Sequence, residues 1–380
     1  MKEGKIIIAP NAFKGALSAE EAAQAIAKGI RKSGIKNEMV ELPIADGGDG
    51  SLTVISKYLE AEIIASNVKG PDGKAVEANW GYNKSKNLAI IEMAEASGIR
   101  LLPKNELNPM VMSTYGTGQL IQEAVNLGAR QIYLTVGGSA TVDLGVGIME
   151  ALGARFYIGS ELLNGIKPKD FKRITSIDLT ALRELKSRVS VRILSDVNNP
   201  LLGKEGAAAV FGPQKGANEE MVEQLESVLD HLAGMLEELS GKSVRNLKGG
   251  GAAGGITAGL YLAMDAEILD GADQILNWAG FKEHLKSASL VITGEGKIDT
   301  QTNYGKGPGL IARLAKEADV KVIGLSGALD EDTSQIKNFD QLIAISDPND
   351  PLEASMRKTA DNLEKSVSQM RTWSSYDSDT

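Results

Sequence analysis

The chain has 380 residues, a formal net charge of −9, 42% apolar and 24% charged residues, enough length for two domains and enough apolar content to fill two cores. The acidic balance and the lack of any Lys/Arg run exclude a nucleic-acid partner, but not a phosphate-bearing substrate that needs only a few local cations. Cysteine is absent, which rules out disulfides and Cys-ligated zinc and suits a reducing compartment.

In chain order, the start MKEGKIIIAPNAFKG has an apolar run of only four residues before Pro10, too short for the apolar region of a signal peptide. No stretch approaches the ~20 apolar residues of a bilayer-spanning helix. A soluble cytoplasmic protein without a membrane partner is expected, and the composition leaves a homo-oligomer open. Residues 5–9 read as a buried strand. Ser18 and Glu21 then form a capping box that opens an amphipathic helix ending near Gly34. A second strand at 38–44 runs into ADGGDGS, and this βαβ order argues for a parallel sheet. From 61 to 95, apolar segments separated by PDGK and NKSKN read as an antiparallel meander.

Helix–strand alternation then resumes with a helix at 117–127, a strand at 131–136, a helix at 145–154 and a strand at 189–195. The longest helix is expected at 218–240, followed by a glycine cluster and an apolar helix at 255–264. Strands at 289–293 and 320–325 flank a helix at 306–318. A strand at 342–346 and a helix at 351–371 close the fold, leaving the polar tail WSSYDSDT frayed. No Pro/Ser-rich linker interrupts the chain. The pattern therefore predicts an α/β protein of two domains: a Rossmann/flavodoxin-like parallel-sheet domain (1–65 with 287–380) into which a mixed α/β domain (66–286) is inserted.

The 42 glycines, about 11% against the usual ~7%, gather at the ends of apolar runs, where a backbone can take positive φ or approach a ligand closely. With two histidines, His231 and His284, both inside helix patterns, no cysteine and no GxSxG elbow, a general base has to be a carboxylate. The candidates are acids in the Gly-rich loops: Asp46 and Asp49, Asp143, Asp196, Glu295 and Asp299. Those holding Asp46, Asp196 and Glu295 directly follow predicted strands, where open α/β sheets bind ligands. Lys14, Lys215, Lys297 and Lys306 share such loops. Carboxylates for Mg²⁺, lysines for phosphate oxygens and Gly-rich amides are the recurring parts of phosphoryl transfer. GGGAAG at 249–254 fits the dinucleotide fingerprint, with Asp270 or Asp273 at a suitable distance. The segment before it is a poor strand, however, and no strand pattern separates the following helix from those acids. A Walker A sequence is absent.

Taken together, APNAFKGALS (9–18), PIADGGDG (43–50), YGTG (115–118), GGSAT (137–141), DVNNPLLG (196–203), VFGPQKGA (210–217), GAAGG (251–255), VITGEGKID-QT (291–302) and GK-P (305–308) resemble the type 1 glycerate kinase family. The chain departs from that family's usual Asp–Ser at Asn11–Ala12, from Asn–Asp–Gly at Val142–Asp143–Leu144, and from Cys–Asp–Val–Asp–Asn at Ser195–Asp196–Val197–Asn198–Asn199. The resemblance implies a two-domain kinase using ATP and Mg²⁺ on D-glycerate, mostly giving 2-phosphoglycerate, with 3-phosphoglycerate also found under the same general name. On that reading Asp196 accepts the hydroxyl proton, with Lys14 and Asp46 beside it in catalysis. Gly137, Gly138, Ser139, Gly254, Gly255, Glu295 and Lys297 serve ATP. Gly47, Gly48, Lys215 and Lys306 serve the substrate, and Asp299 and Asp46 the metal. An NAD-dependent oxidoreductase using GGGAAG and a non-catalytic small-acid sensor on the same fold are the competing readings.

Overall fold

Ile6, Ile7 and Ile8 are each at or below 2% exposure, as befits a strand covered on both faces. The computed structural model describes residues 4–48, 50–299, 302, 307–329, 333, 335–347 and 349–370. Asp49, Lys306 and the terminal tail lie outside the described residues. The strand Lys5–Pro10 is flanked by Met39–Glu41 and by Ala288–Ile298, followed outward by Lys321–Leu329 and Gln341–Ala344, all parallel. Numbered along the chain, these five strands stand in the order 2-1-3-4-5, that of flavodoxin-like sheets. On one face Ile6, Ile8, Leu290, Ile292 and Leu325 pack with Ile26 and Ile30 of the helix Ala19–Lys32 and with Leu363 and Val367 of the helix Thr359–Ser368. The alternate residues Ile7, Val291 and Val322 are equally buried, and the helices Phe281–Leu285 and Gly307–Glu317 pack on these strands. The capping box forms as expected: Glu21 N–H donates to Ser18 Oγ at 3.2 Å and Ser18 N–H to Glu21 Oε2 at 2.8 Å. The expected terminal helix is divided in two, Leu352–Arg357 and Thr359–Ser368, at Lys358 (φ −95°, ψ 4°).

The second unit is built on a six-stranded mixed sheet in the order Glu267–Leu269, Ser190–Leu194, Gln131–Thr135, Leu88–Glu92, Ala75–Asn83, Glu62–Lys69. The first four strands are parallel, and the last two continue as the antiparallel meander. A small antiparallel sheet of Glu161–Leu163, Arg155–Ile158 and Ser176–Asp178 is added to it. The helices Tyr115–Asn126, Glu219–Ser240 and Ala252–Met264 supply most of the helical side of the core. The strand Glu267–Leu269 does stand between the last of these and Asp270, contrary to the sequence expectation; it is three residues long, below what periodicity resolves. No strand precedes Gly249, so GGGAAG lacks the strand–loop–helix setting of a dinucleotide fingerprint.

The chain divides into Met1–Asp46 with Ala272–Thr380, and Gly47–Gly271, rather than crossing near 65 and 286. Both differences follow from packing. The helix Ser51–Leu59 lies on Ala75–Asn83 and Leu88–Glu92 and belongs with them, whereas Phe281–Leu285 lies on Lys5–Pro10. Ser51–Leu59 is capped from a distance: its N-cap Gly50 has no side chain to offer, and Glu92, 1% exposed, accepts the N–H groups of Gly50 at 2.9 Å and Leu52 at 2.8 Å. A carboxylate on those donors also opposes the positive end of the helix dipole. Glu92→Ala should therefore cost about 2 kcal/mol, or roughly 4–8 °C in Tm, with Glu92→Gln losing less because one acceptor oxygen remains. Thermal unfolding of the two variants checks this, and equal losses would show that the charged carboxylate with both its oxygens is needed, a single acceptor of the same volume giving nothing.

Candidate active site

In the first unit, strand ends and the loops after them bring five of the singled-out residues to one place; Glu295 and Lys297, expected in a loop, lie within the strand Ala288–Ile298, which runs past its expected end at 293. Lys14, Asp46, Glu295, Lys297 and Asp299 all line a cavity of about 830 Å³ at the carboxyl ends of the parallel strands. Lys14 Nζ stands 3.8 Å from Asp46 Oδ2, and Lys297 Nζ stands 3.7 Å from Asp299 Oδ2. Both lysines keep most of their side chains in solvent, while the two carboxylates are largely covered. Glu295 Oε1 accepts from Thr302 Oγ1 at 3.2 Å, and Asp299 N–H donates back to that same oxygen at 3.2 Å. Glu295 is thus held by a local turn, and the two lysines present exposed side chains beside covered carboxylates, a suitable division for meeting a charged ligand. Sequence reasoning missed Asp347, Leu352 and Met356 on the same cavity. Asp347 follows the edge strand closely and could have been found by the rule that located the other acids; the two apolar residues carried no signal.

In the second unit, the loop after Gln131–Thr135 meets Gly47 and Gly48 backbone to backbone. Gly137 N–H donates to Gly47 O at 3.0 Å, and a Cβ on Gly137 would stand 2.4 Å from Gly48 Cα. Gly47 has φ +74°, and a Cβ there would come within 2.9 Å of Leu194 O, at the end of the next strand. Four of the predicted residues, Gly47, Gly48, Gly137 and Gly138, are brought together in this way, and Ser139 continues the loop.

Lys215 underlies it. Expected as a substrate ligand, it is 2% exposed, and its Nζ donates to Ser139 Oγ and to Thr141 O, each at 2.7 Å. Burial brings its pKa down to about 7, with the nearby Asp143 charge opposing the shift. Asp143 accepts from Thr114 N–H and Thr114 Oγ1 at 2.8 Å each, from Gly145 N–H at 3.1 Å and from Gly147 N–H at 3.3 Å. Burial pushes its pKa up against these four hydrogen bonds, which act to lower it. Thr141 Oγ1 is buried and has no hydrogen-bond partner among the described residues, leaving a polar atom available beside the loop.

Asp196 follows its strand as expected, and its Oδ1 accepts the N–H of Gly271 at 2.7 Å. Gly254 and Gly255 have a packing reason to be glycine. With Ala253 they form three successive left-handed residues, and a Cβ on Gly254 would stand 2.2 Å from Thr141 O. The GAAGG turn therefore supports GGSAT from behind, and Leu144 N–H donates to Gly254 O at 3.0 Å. His231 Nε2 donates to Ile174 O, 3.0 Å away, a packing role. Among the described residues no three acids converge as a preformed metal site, and no helix is long and apolar enough to cross a membrane.

The model of the glycerate kinase family matches residues 6–374. A glycerate kinase of Bacillus subtilis is 39% identical over 365 residues, 96% of each chain. One of Halalkalibacterium halodurans is 43% identical over 325 residues, 85% of each chain. A glycerate 2-kinase of Escherichia coli is 37% identical over 94% of this chain and 95% of its own. The crystal structure of a protein assigned as glycerate kinase 2 from Salmonella typhimurium LT2 superimposes with a TM-score of 0.85 at 35% identity, covering 98% of each chain. The match runs through every loop described above, and the chain belongs to the glycerate kinase family, as an enzyme of that activity.

Proposed function

We propose that the enzyme transfers the γ-phosphoryl group of ATP, with Mg²⁺, to the 2-hydroxyl of D-glycerate, giving 2-phosphoglycerate and ADP in the cytoplasm. The observation that carries this reading is the convergence of two lysine–carboxylate pairs and Glu295 on one cavity at the carboxyl edge of a parallel sheet. The relative named glycerate 2-kinase favours the 2-hydroxyl as acceptor.

The bond formed is between the glycerate oxygen and the γ-phosphorus, and the bond broken joins that phosphorus to the β,γ-bridging oxygen of ATP. Asp196 takes the hydroxyl proton. Lys14 and Lys297 neutralise phosphate oxygens, which matters more than basicity in a loose transition state. The donor set fits Mg²⁺, an ion that keeps water and phosphate ligands and needs only one or two protein carboxylates. Asp46 and Asp299 would hold it, and it would shield the charge on the phosphates. The amides of Gly47, Gly48 and Gly138 suit the glycerate carboxylate, with Gly137 N–H holding Gly47 O and Lys215 fixing the loop from below.

Purified protein with Mg·ATP should release ADP only when D-glycerate or a close hydroxy acid is added, and should give no NADH signal with the same acids. ADP release independent of the acid, or robust NAD reduction, would overturn the reading. Identifying the product by ³¹P NMR separates 2-phosphoglycerate from 3-phosphoglycerate.

A further inference from the structure

Leu352 is 75% exposed, an unusual position for a large apolar side chain, and it lines the same first-unit cavity as the lysine–carboxylate pairs. It lies on the short helix Leu352–Arg357, and Met356, one turn on, shares its face. Met356 lines the cavity too, together with Phe13, Ala16, Leu329 and Ala344. The cavity therefore has an apolar wall as well as a charged one carrying Lys14, Lys297 and the acids. A three-carbon acid has no use for the apolar wall and would leave most of about 830 Å³ filled with water. Clefts of about 300–1,000 Å³ with a mostly apolar lining and a few convergent polar groups fit flat, drug-sized molecules.

The position is telling as well. In a sheet of order 2-1-3-4-5 the crevice opens where the strand order reverses, between the first and third strands. Here these are Lys5–Pro10 and Ala288–Ile298. The loop after the first carries Lys14; the end of the second carries Glu295 and Lys297, with Asp299 directly after it. Asp347, beyond the edge strand, is held by the N–H and side chain of Asn349, whose hydrogen bonds keep its carboxyl below the usual range. An ionised carboxylate at such a place suits the hydroxyls of a ribose.

We propose that this cavity is the nucleoside site: the adenine of ATP lies against Leu352 and Met356, and Asp347 receives the ribose hydroxyls. The assignment rests on the kinase reading above and adds to it which residues receive the base. It also removes the need for GGGAAG as a nucleotide loop.

The test is direct binding of ADP with Mg²⁺ to the full chain by calorimetry, without turnover. Leu352→Asp and Met356→Asp each place a negative charge on the apolar wall and should weaken ADP at least tenfold while leaving D-glycerate binding unchanged. Leu352 is so exposed that its variant carries little folding risk, so it decides the matter should Met356→Asp prove unstable. Photolabelling with 8-azido-ATP should mark residues 344–359 rather than the 47–271 unit. Normal ADP affinity in the folded Leu352→Asp variant, or label confined to 47–271, would overturn the assignment. Acid-dependent ADP release with ADP affinity indifferent to these substitutions would keep the kinase reading and remove this one. ADP binding that obeys them, without turnover of D-glycerate, would do the reverse.

Discussion

Replacing Asp196 by asparagine is expected to lower kcat by about 10²-fold or more, the usual scale for a positioned base, with the melting temperature nearly unchanged. The structure makes this substitution unusually clean. Oδ1 of Asp196 accepts the Gly271 N–H at 2.7 Å, and asparagine retains an acceptor oxygen for that bond while losing the ability to take a proton. Asp196→Ala removes both and should lower Tm as well as kcat. Because the acid binds before the proton moves, the KM for D-glycerate should change little in Asp196→Asn; a raised KM with normal kcat would instead assign Asp196 to binding. Full turnover per folded molecule would reduce it to a tie between two loops and leave Asp46 or Asp299 as the base.

Lys215→Met should change how stability depends on pH. A neutral amine has two N–H donors, and Lys215 has two neutral acceptors, Ser139 Oγ and Thr141 O, so the deprotonated form fits its site. In the folded chain the group loses its proton near pH 7, whereas in the unfolded chain it stays protonated to about pH 10.4. Between those values the unfolded state binds more protons, so wild-type stability rises with pH. Below about pH 7 both states are charged and the folded one bears the full cost of burying that charge. Relative to Lys215→Met, the wild type should gain up to ~1.4 kcal/mol per pH unit across pH 7–9. Urea titrations at several pH values measure this, and parallel curves for the two proteins would show that Lys215 remains charged inside the fold. Lys215→Met should also lower activity at every pH, since Ser139 and Thr141 lose the donor that fixes their loop.

What was legible in the sequence was what is decided locally. Ser18 and Glu21 are three residues apart and cap each other, so their helix could be placed from the sequence. Ser51–Leu59 begins at a glycine and is capped by Glu92, some forty residues on, and nothing near its start announces it. The acids after strands were found because a rule of parallel sheets needs only the strand and the loop. Lys215 in FGPQKG has the look of a solvated loop lysine; its burial depends on Ser139 and Thr141, which are remote in sequence. Gly254 was legible as a glycine needing a reason, but the reason, Thr141 O at 2.2 Å from its missing Cβ, is again a distant partner. Leu352 and Met356 read as one face of an ordinary terminal helix, and only the division of that helix at Lys358 reveals them as a cavity wall.

The discontinuous first unit has a consequence for biosynthesis. Its interior strand Lys5–Pro10 leaves the ribosome long before Ala288–Ile298, with which Ile6, Ile7 and Ile8 register. At roughly 5–20 residues per second the wait is on the order of a quarter to a whole minute. Throughout it an isoleucine-rich edge lacks one of its two neighbours, the condition in which nascent strands find wrong partners. The Gly47–Gly271 unit is contiguous and can finish while the ends wait. Slowing elongation after residue 271, rather than before residue 47, should therefore harm the yield of folded enzyme most.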